Sequence, residues 1–195
     1  MNKVTALILT LPIVLVITIS EIWNALESRY YEGFLPPAYG NASLLRQSSF
    51  SAGFGPGGYD AVLAFFSLSN DVALSVVDEG ANWLERAETS VDLRRAKQAT
   101  PWANTPIDQA VFTWASPQSC MADYGHWQTD VRDGHSCPGV ASYFGGYGFN
   151  GELTISDTEA VNDVLFSEGA FILKRRVGYL IVAPQRQLVI FMHAG

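Results

Sequence analysis

The sequence predicts an α+β domain, a small and mostly antiparallel sheet with two short helices on one face, preceded by an N-terminal hydrophobic helix. Three observations lead there. Short apolar runs of strand length alternate with segments of helical period that carry start and stop signals. The succession strand, helix, strand occurs twice. Ahead of both stands Val4 to Ile19, sixteen residues without a charge and mostly apolar.

Bulk composition sets the frame. The chain has 195 residues, 48% hydrophobic and 16% charged, which suits one folded domain plus a short N-terminal segment. The net charge of −7 repels a phosphate backbone, so nucleic acid is not an expected partner. The basic clusters Arg94-Arg95-Lys97 and Lys174-Arg175-Arg176 are short and read as solvated edges.

Lys3 precedes the apolar run, and Glu21 and Glu27 follow it. That asymmetry keeps the N-terminus cytoplasmic and sends the rest of the chain across a membrane. The expected product is a single-pass membrane protein with a periplasmic or extracellular domain. A cleaved signal and a secreted chain are the alternative. Thr18-Ile19-Ser20 is a poor small-x-small cleavage site, which favours an uncleaved signal-anchor. Ile22, Leu26 and Tyr30 recur every four residues and extend the helix as a stalk.

The domain organisation follows: an anchor and stalk over residues 1–34, a Gly/Ser/Pro-rich linker over 35–58, and the α+β domain over 59–195. Leu35-Pro36-Pro37 stops the stalk, because proline cannot continue a helix. Ala61 to Leu68 is a strand. Asn70 caps a helix whose Val72, Val76 and Val77 face inward and which ends at Gly80. Ala110 to Ala115 reads as a strand, with β-branched and aromatic residues. Glu152 to Ile155 is a further strand. Ser156 and Glu159 form a capping box for a helix carrying Val161, Val164 and Leu165, stopped at Gly169. Phe171 to Val182 and Leu188 to Met192 are strands joined across Pro184-Gln185-Arg186.

Residues 79–86 (EGANWLER) and 168–175 (EGAFILKR) share five of eight positions. Ala81 to Arg86 is either more of the preceding helix or a returning strand; the match favours a strand and suggests a doubled βαβ, the ferredoxin-like plan. Gly53-Gly55-Gly58 and Gly146-Gly148-Gly151 both fit GxGxxG. Each precedes a strand rather than a helix, so both are read as turns and no cofactor is expected.

Cys120 and Cys137 are the only cysteines. In an exported domain such a pair forms a disulfide, stabilising the fold by about 3 kcal/mol through loop closure. Asp123, His126, Asp130, Asp133 and His135 lie within that loop and are candidate metal ligands, although their spacing matches no metal motif. Tyr124, Trp127, Tyr143, Phe144, Tyr147 and Phe149 are interleaved with glycine and form a candidate binding surface. If instead they finish the core, they will pack against Phe65, Phe112 and Trp114.

The functional expectation is a membrane-tethered extracytoplasmic interaction or accessory domain with a protein partner. The alternative is an extracytoplasmic hydrolase or metal-dependent enzyme that uses loop 120–137.

Overall fold

A computed structural model of the chain describes residues 22, 25, 26, 28–52, 59–88, 100–108, 110–115, 139–147, 149 and 154–195. These divide into two units, Met1–Leu35 and Pro36–Gly195. In the first unit residues 28–32 are helical, and Ser28 Oγ donates to Glu32 Oε1 one turn on at 3.1 Å. The Tyr30 ring lies edge-on to Tyr31 and to Phe34, with centroids 5.3 Å away in each case. The run Val4 to Ile19 lies outside the described residues. Among the described residues no helix is long and apolar enough to cross a membrane.

The second unit is built on a six-stranded sheet. Its strands are β1 (Leu44–Ala52), β2 (Tyr59–Ser67), β3 (Ala103–Asn104), β4 (Phe171–Lys174), β5 (Tyr179–Ala183) and β6 (Leu188–Ala194). They are ordered β1-β2-β6-β5-β4-β3, and every neighbouring pair is antiparallel. The helices are α1 (Asn70–Glu79), α2 (Ala81–Glu88), α3 (Val140–Gly146) and α4 (Ile155–Phe166). The α+β class therefore stands. A doubled βαβ does not, because residues 81–86, which would supply the returning strand of the first copy, are helical, and the sheet is completed by β1 and by the β4-β5-β6 run instead.

Helices cover both faces of the sheet rather than one. Successive side chains on a strand point to opposite faces. Leu63 and Phe65 of β2, Ile172 of β4, Ile181 of β5 and Ile190 of β6 share one face with Val140, Tyr143 and Phe144 of α3 and Val161, Val164 and Leu165 of α4. The residues between them, Val62, Ala64, Phe66, Leu173, Leu180, Val182, Val189 and Phe191, are buried on the other face. α1 and α2 lie on that second face: a Cβ built on Gly80, between them, would stand 3.7 Å from the Phe171 ring.

Several local expectations are corrected. Ala81 to Arg86 is helix α2, not a strand. Leu84 and Ala87, one turn apart, are buried while Asn82, Glu85 and Arg86 face solvent, a helical pattern that the resemblance to residues 168–175 obscured. What the two copies share is a glycine at positive φ, Gly80 at +61° and Gly169 at +94°, where an L-side chain is strained. Residues 44–52, read as linker, form β1, tied to α4 by Arg46 Nε and Ser48 Oγ, which each donate to Asp157 at 2.6 Å. Residues 110–115 form a turn and a short 3-10 helix (Thr113–Ala115). There Asp108 Oδ1 accepts from Ala110 N at 2.8 Å, and the Asp108 carbonyl accepts from Phe112 N, so local capping outcompetes a strand ladder.

In α1, Ala73 rather than Val77 is buried beside Val76, and the N-cap is Ser69. α4 starts two residues before the expected box. Thr154 is its N-cap, with Oγ1 accepting from Asp157 N at 3.3 Å, so Ile155 is helical. The run Phe171 to Val182 is split into β4 and β5 by a turn closed by Arg175 N donating to Gly178 O at 3.0 Å. Gly178 has φ +71°, and a Cβ there would lie 2.0 Å from the Met192 carbonyl oxygen, so only glycine fits.

Candidate functional site

The second face carries an unusual amount of buried charge at one end. Strand alternation from Phe171 and Leu173 puts Arg175 on this face, beneath the last residue of α2. Arg175 Nη2 donates to Glu88 Oε1 at 2.5 Å, and the two side chains are 0% and 4% exposed. Tyr39 lies in a short 3-10 turn, Pro37–Tyr39, and its ring stacks on Trp83 of α2 with centroids 5.7 Å apart. Burial, reinforced by the Glu88 charge and opposed by Arg175, pushes the Tyr39 hydroxyl well above the usual phenol range. Burial also raises Glu88, against the opposing charge and hydrogen bond of Arg175.

Two oxygens in this cluster are sealed without a hydrogen bond among the described residues: Tyr39 Oη and Glu88 Oε2. The indole nitrogen of Trp102, immediately before β3, is likewise unbonded. Unbonded buried polar atoms are uncommon in folded proteins, and each costs about 1–3 kcal/mol.

A second pair stands at the same end of the sheet, on β2 and β6. His193 Nε2 lies 3.4 Å from Asp60 Oδ1, and the side chains are 22% and 11% exposed. The Asp60 and Gly195 backbones exchange hydrogen bonds of 2.9 and 3.0 Å. Burial lowers the pKa of His193, and the Asp60 charge and hydrogen bond act against that. His193 Nδ1 is sealed and unbonded among the described residues.

Chemically, this end offers a guanidinium, a phenol, two carboxylates and an imidazole, all withdrawn from solvent to differing degrees. Among the described residues no three His, Cys, Asp or Glu side chains are grouped to hold a metal ion. An open depression on the outer side of the α1–α2 junction is lined by Asp78, Glu79, Asn82, Glu85 and Arg86, where Arg86 pairs with Glu79.

Neither protein-family models, nor curated proteins, nor solved structures match the chain.

The aromatic residues read as a binding surface divide sharply. Tyr143, Phe144 and Phe149 are buried in the core cluster that also contains Phe65 and Phe112, with Trp114 packed against it. The Tyr143 ring lies 5.6 Å from Trp114 and 5.4 Å from Tyr179, and its hydroxyl accepts from Ala194 N at 3.2 Å. Phe149 meets Phe50 of β1 edge-on at 5.8 Å. Tyr147 alone of the four is exposed, at 46%. Cys120, Cys137, Tyr124, Trp127, Asp123, His126, Asp130, Asp133 and His135 lie outside the described residues.

Sequence reasoning missed Tyr39, Asp60, Glu88, Arg175 and His193. Arg175 was read as part of a solvated basic edge, whereas it is 2% exposed. One signal was available: at the 171, 173, 175 spacing, Arg175 continues the same strand face as Leu173.

Proposed function

We propose that this chain is a membrane-tethered extracytoplasmic interaction or accessory domain. Its N-terminal segment serves as the anchor and a protein partner is engaged by the folded unit. The observation that carries the reading is the uncharged apolar run Val4 to Ile19 behind Lys3. The character of the polar sheet end supports binding over catalysis. A general base must reach the proton it removes, and His193 presents a sealed Nδ1 while its Nε2 is turned to Asp60.

The test is a fusion of the full chain to a reporter that is active only outside the cytoplasm, combined with membrane fractionation. The reading expects an active reporter that stays with the membrane after alkaline extraction. An inactive reporter overturns the orientation, and a soluble active one shows a cleaved, secreted chain. A photocrosslinking side chain at position 82 of α2 then reports the partner, as a discrete adduct absent when the same group stands at position 163 of α4.

A further inference from the structure

α2 rests on the sheet with little apolar surface. Leu84 and Ala87 are its buried apolar residues, Trp83 is half-buried, and Asn82, Glu85 and Arg86 are exposed. Beyond these it is held by Trp83 stacked on Tyr39, by Arg86 paired with Glu79 of α1, and by Glu88, inserted beneath the helix and paired with Arg175. Desolvation offsets much of the attraction in such a pair. The sealed Tyr39 Oη and Glu88 Oε2 add to that cost, since both give up water without gaining a partner among the described residues. All of these costs are relieved when water reaches the cluster. The junction with α1 is a single residue, Gly80, at φ +61°. Its N–H closes α1 by donating to Val76 O at 2.8 Å, so α1 keeps its own cap whatever α2 does.

We propose that α2 is a hinged cover, pivoting at Gly80, which opens by itself to expose Arg175 and Tyr39 on the sheet face while α1 stays in place. The inference stands apart from the membrane tether and from the identity of any partner. Elements that open in this way are drawn from the least stable parts of a fold, and amide exchange measures them residue by residue.

The experiment is hydrogen exchange on the full chain in detergent at neutral pH, comparing amides 85–88 of α2 with 74–79 of α1. A cover exchanges at least about tenfold faster than α1. Equal rates in the two helices overturn the proposal. The second arm is Tyr39→Phe, which removes one sealed hydroxyl and keeps the ring stacked on Trp83. It should slow exchange in α2 by about fivefold and leave α1 unchanged. Unchanged or faster exchange in α2, or loss of the fold, means that the hydroxyl does not favour opening and overturns the proposal.

Discussion

Arg175 and Glu88 form an ion pair 2.5 Å long between the end of β4 and the end of α2, with both side chains sealed from solvent. It adds a charge contact to the apolar packing of Leu84 and Ala87 that holds this helix on the sheet. Removing one partner strands the other in a low-dielectric site, whereas replacing both by apolar side chains removes the desolvation cost. Arg175→Met alone is therefore expected to destabilise the fold by about 3–5 kcal/mol, and the Arg175→Met/Glu88→Leu double variant to regain most of that loss. Urea unfolding of the two variants checks this; equal stability of single and double variants counts against a buried pair.

Asp157 gives a different pH signature. Partial burial raises its pKa, but hydrogen bonds from Ser48, Thr154 and Arg46 and the Arg46 charge outweigh that, and the net shift is downward. A carboxylate whose folded pKa is depressed contributes stability that is complete above its unfolded pKa and lost as pH falls through the folded one. Asp157→Asn should cost roughly 1–3 kcal/mol at neutral pH and flatten the loss of stability below about pH 4. Unfolding curves at stepped pH, for both proteins, decide it.

His193 acts at milder acidity. Its folded pKa is lowered, chiefly by burial, so the folded state resists protonation. The associated stability is present above the ordinary histidine pKa of about 6.5 and falls as pH drops below it. His193→Gln should remove this step while leaving the steeper loss at lower pH that belongs to the carboxylates. An NMR titration of the His193 ring, expected to show a midpoint below 6.5, is the independent check.

Tyr143 and Tyr147 separate core from surface. Tyr143→Ala should cost about 3–5 kcal/mol, the range for truncating a buried aromatic. Tyr143→Phe should cost about 1 kcal/mol through the hydrogen bond that its hydroxyl accepts from Ala194 N. Tyr147→Ala should stay within about 0.5–1 kcal/mol of the parent, because that side chain is half out in solvent. Thermal unfolding of the three variants measures all of these, and a large loss at Tyr147 would show it to be structural.

The elements with strong local signals were legible. β2, α1, α4 and β6 fall within a few residues of their sequence-predicted spans, and β4 and β5 divide a run that reads as one strand, since caps, glycine stops and apolar alternation act over one or two turns of chain. β1 was not, because its Ser- and Gln-rich sequence, LLRQSSFSA, has weak strand propensity; its pairing comes from β2 and its anchorage from Asp157, 109 residues from Ser48. α2 was misread because a short apolar segment takes its conformation from what it packs against.

Sequence alone determined the α+β class, the antiparallel C-terminal strands and the capped helices, because these depend on contacts between residues near one another in the chain. Tertiary structure decided that helices cover both faces, that Tyr143 and Phe144 belong to the core, and that Arg175 is buried against Glu88. Those outcomes depend on which segments lie over a given side chain and exclude its water. Arg175 and Arg176 are adjacent and chemically identical, yet one is sealed and the other is not buried. Arg175 continues the buried face of β4 beneath α2, whereas Arg176 lies in the turn that follows.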